Sequence, residues 1–173
     1  MKKHLLLPIL LLSMFVSGQE LEQPEKTNFN EIKLNGLYLV LGALDITYEY
    51  TLNEESAFGV NVFLPIDKNV NDDINYYISP YYRRYFGKKH AAGFFVEGFG
   101  MLNSVDREID FIFEDDEEDW RTDFALGIGL GGKWITARGF IGELGFGVGR
   151  NLFHSDTDSD FIGKVAITLG FRF

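Results

Sequence analysis

The chain has 173 residues, no cysteine and a formal net charge of −10. That length suits one domain rather than two. The lack of cysteine excludes a disulfide framework and thiolate metal sites, and the acidic balance excludes binding of nucleic acid through bulk electrostatics. Seventeen Phe and eight Tyr beside nineteen Gly point to an all-β chain, because aromatic residues favour strands and helices disfavour glycine.

The first expected element is an export signal. Lys2 and Lys3 precede an apolar run from Leu5 to Val16, interrupted by Pro8 and Ser13, and the small residues Ser17 and Gly18 follow. A run of about a dozen residues has the length of a signal core, whereas a spanning helix needs ~20. Val16 and Gly18 suit the positions three and one before a cut. The expected division is a signal peptide over 1–18, a short N-terminal extension over 19–31 and a barrel over 32–173. Removal of Lys2 and Lys3 takes the formal charge from −10 to −12. No later stretch is both long and continuously apolar, so no transmembrane helix is expected.

Period-two alternation then marks eight strands, near Ile32–Leu41, Leu44–Leu52, Ala57–Leu64, Asn75–Phe86, Gly93–Asn103, Thr122–Ile135, Gly139–Arg150 and Phe161–Phe173. The first is ambiguous, since Leu37 to Leu41 is apolar on both faces. In the second, Leu44, Ile46, Tyr48, Tyr50 and Leu52 oppose Asp45, Thr47, Glu49 and Thr51. In the last, Phe161, Val165, Ile167, Leu169, Phe171 and Phe173 oppose Lys164, Ala166, Thr168 and Arg172. Alternation of this kind means two-faced strands. Their lengths match tilted strands crossing a bilayer and exceed the usual globular strand of ~5 to 6 residues. Connections at Asn53–Ser56, Gly87–Ala92 and Thr136–Arg138 are short, while Pro65–Ile74, Ser104–Arg121 and Asn151–Asp160 are long and polar. Short periplasmic turns opposite long outer loops are the pattern of outer-membrane barrels. The short Gly42–Ala43 connection departs from it.

A soluble lipocalin-like barrel has the same period with its faces reversed, so the second face decides. A solvated exterior should carry several Lys, Glu, Asn or Gln per strand. Here that face is mostly Gly, Ala, Thr and Ser, with Glu49, Arg83, Glu97, Lys133, Glu143, Lys164 and Arg172 as sparse charges of mixed sign. Such a face suits a narrow lumen in which glycines make room for Tyr77, Tyr81, Phe95 and Phe99, and in which the charges pair because an unpaired buried charge is unfavourable. The expected fold is an eight-stranded antiparallel up-and-down transmembrane β-barrel, with Tyr82, Phe86, Trp120, Trp134 and Phe153 placed for interfacial girdles.

The run Ile78-Ser79-Pro80-Tyr81-Tyr82-Arg83-Arg84-Tyr85-Phe86, the segment Gly93 to Phe99 and the Tyr48-Glu49-Tyr50 segment resemble DUF3575, a family of small outer-membrane barrels common in Bacteroidota. The architecture is similar to that of the OmpA and OmpX barrels. The closing Phe171-Arg172-Phe173 resembles the C-terminal signal read by the barrel-assembly machinery. These resemblances imply residence in the bacterial outer membrane among lipid and lipopolysaccharide, and they imply no activity.

Three constellations invite a sharper reading. Glu114 to Asp119, preceded by Asp106, Glu108 and Asp110, forms an acidic outer loop that is either simply solvated or a surface site for divalent cations. Asp156, Asp158 and Asp160 are spaced like the opening of an EF-hand, but Phe161 stands where that loop needs Gly and Ile167 where it needs a bidentate Glu. His154 lies beside Ser155 and Asp156, and His90 lies in a periplasmic turn. Adjacent residues do not make a nucleophile, base and orienting group. The expected protein is therefore a monomer without cofactor, acting as a non-enzymatic envelope protein. A lipid A-modifying hydrolase or acyltransferase is the runner-up, and a soluble ligand-binding barrel the third.

Overall fold

The computed structural model describes residues 29–67, 74–106, 120–153 and 161–173. Strands β1 (Asn30–Asn35), β2 (Ala43–Thr51), β3 (Ser56–Pro65), β4 (Ile74–Phe86), β5 (Gly93–Asp106), β6 (Trp120–Ile135), β7 (Phe140–Asn151) and β8 (Phe161–Arg172) close into one antiparallel barrel in sequence order. One helix, α1 (Gly36–Leu41), joins β1 to β2. None of the helices among the described residues is long and apolar enough to cross a membrane. Residues 1–28, which include the expected signal peptide over 1–18, and the loop residues Glu108, Asp110, Glu114–Asp119 and His154–Asp160 lie outside the described residues.

Alternation sets which side chains point inward, because a one-residue slip in register would turn every side chain to the other face. On β6, Asp123, Ala125, Gly129 and Lys133 are buried, while Leu126, Ile128, Leu130 and Trp134 are exposed. On β8, Lys164 and Thr168 are buried between exposed Val165, Ile167, Leu169 and Phe171.

The first strand is corrected. It does not run to Leu41 but stops at Asn35, where the chain turns into α1. The run that is apolar on both faces is a helical turn and not a strand. Asn35 is its N-cap, with Oδ1 accepting from the Leu37 N–H at 3.2 Å, and Gly42 ends it in the left-handed region at φ 93°. Asparagine at the N-cap and glycine after the last turn are the ordinary signals of a helix start and stop. The connection from β1 to β2 is therefore Gly36–Gly42, so this crossing also belongs to the long-loop end. The strands beside the other long loops reach further than alternation indicates, β5 to Asp106 and β6 back to Trp120.

The interior is filled by aromatic rings set against glycine. Phe63, Tyr77, Tyr81 and Phe99 form one buried cluster, and Tyr85 and Phe95 belong to a second one nearer the short turns. A Cβ added at Gly59 would run into the Tyr81 ring, one at Gly127 into Phe99, and one at Gly131 into Phe95. Glycine on one wall thus makes the volume that an aromatic residue on the next wall occupies. Gly59→Ala should lower the unfolding midpoint in urea by an overpacking penalty of about 1–3 kcal/mol. In a Tyr81→Ala background the same change should be nearly neutral. Equal penalties in both backgrounds would show that the ring and the glycine do not share that space.

Candidate functional site

Strand register places oppositely charged residues on the inner wall as direct neighbours. Arg83 of β4 stands opposite Glu97 of β5, Lys133 of β6 opposite Glu143 of β7, and Glu31 of β1 opposite Arg172 of β8. Opposite charges across a strand pair attract, and like charges directly opposite repel. Glu31 and Glu49 are such a like pair on β1 and β2, and Lys133 answers them by reaching across the lumen to both, at 2.9 and 2.7 Å.

Glu49 is the hub. Its Oε2 accepts from Lys33 Nζ at 2.8 Å, the Tyr81 hydroxyl at 2.6 Å and Arg83 at 3.2 Å. Its Oε1 accepts from Lys133 Nζ at 2.7 Å and the Tyr85 hydroxyl at 2.6 Å. Around this centre Arg83 donates to Glu97 at 2.6 Å and pairs with Glu143 at 2.9 Å. Lys33 reaches Glu143 at 2.8 Å, and Lys164 reaches Glu97 at 3.2 Å. The Arg83 guanidinium lies 3.7 Å from the Phe95 ring centroid, and Lys133 Nζ lies 4.3 Å from that of Tyr85. Such contacts between cation and ring face add attraction where water is excluded.

All seven charges singled out from the sequence point inward, and the structure brings them into one connected network. Glu31 and Lys33 belong to it as well and were missed. Their signal was present as alternation with Ile32 and Leu34, but it sits in the one stretch whose pattern is blurred by Leu37 to Leu41. Tyr85, on the same face as Tyr81 and Arg83, is a further missed member.

Inward-facing side chains meet at successive levels of the lumen. Lys133 from β6 meets Glu49 from β2 on the opposite wall, so ion pairs span the full width. Above them Asp45 accepts from Asn35 Nδ2 at 3.0 Å, the Tyr77 hydroxyl at 3.2 Å and Asn61 Nδ2. Between these layers lies a cavity of about 20 Å³, lined in part by Asp45, Asn61, Tyr81 and Lys164. That is room for about one water. Asn61 Oδ1 has no hydrogen-bond partner among the described residues. At the short-turn end, Arg172 binds Glu31 Oε1 at 2.6 Å and donates to the carbonyls of His90 and Ala91 at 2.9 and 3.1 Å. This holds the 87–92 turn beneath the barrel, with Ala91 and Ala92 buried. His90 packs edge-on against Phe29. Burial, and then the neighbouring Arg172, hold its imidazole below the ordinary histidine range.

The outer wall has the opposite character. Ile46, Phe58, Tyr82, Phe94, Leu126, Ile128, Leu144, Phe146 and Leu169 are large, apolar or aromatic, and exposed. Tyr82, Phe86 and Trp134 face outward near the short turns, and Phe153 near the long loops. The Trp120 side chain is outside the described residues. Phe171 and Phe173 also face outward, at the end of β8. Among the described residues no group of three or more His, Cys, Asp or Glu is arranged to hold a metal ion. Asp156, Asp158 and Asp160 fall outside those residues, as does His154.

A family model described as a protein of unknown function (DUF3575) matches residues 5–162. The chain belongs to this family. The N-terminal β-barrel domain of Pseudomonas aeruginosa OprF is similar in structure, with a TM-score of 0.60 at 13% identity over 87% of this chain and 100% of that one. The Yersinia pestis outer membrane protein Ail matches at a TM-score of 0.41 and 15% identity, over 84% of this chain and 99% of that one. No curated protein matches the chain. The DUF3575 barrel thus has an outer-membrane-type eight-stranded fold, and the comparisons carry no activity with it.

Removing the Glu49 charge leaves Lys33, Lys133 and Arg83 short of a common partner in a dry interior. Glu49→Gln should therefore destabilise the barrel by roughly 3–5 kcal/mol. The exposed pair Arg84–Glu55, at 2.8 Å, offers the contrast: Arg84→Ala should change stability by less than ~1 kcal/mol. Equilibrium urea unfolding in lipid vesicles measures both, and similar effects for the two would contradict the hub role of Glu49.

Proposed function

We propose that this DUF3575 protein is an integral barrel of the bacterial outer membrane whose lumen is filled, acting as a non-enzymatic envelope protein through its outer rim. The observation that carries the reading is the distribution of polarity. The inner wall holds the charges and hydrogen-bonding side chains, and the outer wall holds an exposed apolar surface far larger than a water-soluble monomer tolerates. A soluble barrel needs the reverse arrangement. In hydrocarbon, each unsatisfied backbone group costs several kcal/mol, and a closed barrel leaves no edge unpaired.

In this reading residues 1–18 direct export and are removed, and the stretch that follows leads into β1, which begins at Asn30. Phe171 and Phe173 present the terminal signal to the barrel-assembly machinery. The protein is a monomer in contact with lipid and lipopolysaccharide, and the acidic stretch Glu114–Asp119 faces the outside. Cross-braced ion pairs and a cavity for one water favour a plug over a diffusion pore, since an eight-stranded interior is just wide enough for side chains to fill.

Membrane fractions from cells expressing the full chain test this reading. The protein should remain with the outer membrane and migrate faster on gels before boiling than after. Recovery from the soluble periplasm, or mobility indifferent to boiling, would overturn it. In planar bilayers the purified barrel should show no sustained conductance, and regular stepwise openings would contradict the filled lumen.

A further inference from the structure

The wall of the barrel has a notch, and α1 sits in it. β1 pairs with β8 from Glu31 opposite Arg172 to Asn35 opposite Thr168, with Asn30 and Phe173 exchanging backbone hydrogen bonds below them. Beyond that point β8 continues from Ile167 to Phe161, paired on its other side with β7 from Leu144 to Arg150. On the far side of the notch, β2 continues past Ile46, the partner of Leu34, up to Ala43. Among the described residues no strand lies between these two above Asn35. The space is occupied by α1, which contacts both β2 and β8.

The Asn35 side chain stands in for the missing strand. Its Nδ2 donates to the Val165 carbonyl at 3.0 Å and its Oδ1 accepts from the Ile167 N–H at 3.3 Å. Those two groups lie on the open edge of β8. The same amide donates to Asp45 and accepts from Leu37 N–H, so both donors and both acceptor sites of its side chain are used. An edge satisfied in this way is what a wall facing hydrocarbon requires, because no water is at hand there.

The helix has an inner and an outer side. Tyr38 points inward, with its ring 5.2 Å from that of Phe63 and packed on the lumen cluster. Val40 lies two residues further on, about 200° around the axis at 3.6 residues per turn, and is 86% exposed. Leu39 and Leu41 flank it and are also exposed. Beside them the Ile66 N–H donates to the Gly42 carbonyl at 2.9 Å, which sets exposed Ile66 next to the end of the helix. Leu64 and Ile46 carry the same apolar surface down the wall.

We propose that the α1 face bearing Leu39, Val40 and Leu41 is seated in the hydrocarbon of the outer leaflet, as a helical piece of the lipid-facing wall. The occupant is acyl chain and not a protein partner, because the patch is continuous with the apolar wall of β2 and β3. The inference rests on the membrane reading above. Its consequence is a barrel whose lipid contact rises higher on the β1–β3 side than the strand lengths alone imply.

The absence of cysteine makes a single spin label unambiguous. Val40→Cys, Leu39→Cys and, as a mid-wall reference, Ile128→Cys are each labelled in the full chain in phospholipid vesicles. Collisions with dissolved oxygen and with a water-soluble nickel chelate are then compared. At positions 40 and 39, as at 128, oxygen should dominate several-fold. Oxygen dominance at 128 with nickel dominance at 39 and 40 overturns the inference and leaves the membrane reading intact. Nickel dominance at all three overturns both. The heat-dependent gel shift verifies that each labelled variant is folded, and position 39 serves where position 40 fails to insert.

Discussion

Closure of the sheet is the constraint on which the rest depends. Eight strands pair each with the next, and β8 pairs back to β1, so backbone polar groups find partners within the wall. Because hydrocarbon offers none, the seam must be complete even where the first strand is short. Five register pairs join β1 to β8. Past them the closure passes from backbone to side chain, through the carboxamide of Asn35. One residue ends a strand, caps a helix, bonds two backbone groups on the exposed edge of β8 and holds the buried Asp45.

Closure also explains the interior. A ring of eight strands is narrow enough that side chains from opposite walls meet, which turns inward-facing positions into a packing problem with charges in it. Glu49 on β2 and Lys133 on β6 touch across the lumen at 2.7 Å. Buried ion pairs of this kind are poor sources of net stability, because desolvation offsets much of their attraction. Their arrangement is better understood as specificity. A shift of one strand by two residues keeps every side chain on its own face, but a slip of β4 or β5 parts Arg83 from Glu97 and a slip of β6 or β7 parts Lys133 from Glu143. The network therefore penalises the register errors that alternation alone tolerates.

Much of this was legible in the sequence because a period of two is a strong signal over long strands. β6 and β8 show it cleanly, and both their faces and their charged positions could be assigned by counting. Two things were not legible. The six residues of α1 are too few to display a helical period, and Leu37 to Leu41 look equally apolar at any period. The informative marks were Asn35 and Gly42, a helix start and stop, and they stand out only once a short helix is under consideration. The partners of the lumen charges were hidden for a different reason. Parity says that Glu49 faces inward, but not that Lys33, Lys133, Arg83, Tyr81 and Tyr85 all converge on it, since that depends on the stagger of the strands and on which walls face each other.

The two faces of the wall are under unequal demands, and this bears on where the protein meets its surroundings. The outer face needs only to be apolar, so Ile128 or Leu130 serve by size and chemistry and not by a particular partner. The inner face must match volume and charge at each position, as Gly127 does for Phe99 and Glu49 for its five donors. A face so fully committed to its own contacts has little left to offer a ligand. The short-turn end is likewise closed, with Arg172 clamping the turn that carries His90 and Ala91. Among the described residues, the rim at the other end presents apolar surface through α1, Ile66 and Phe153. In the reading proposed above, recognition belongs to that rim, beside the face of α1 that lies against acyl chains.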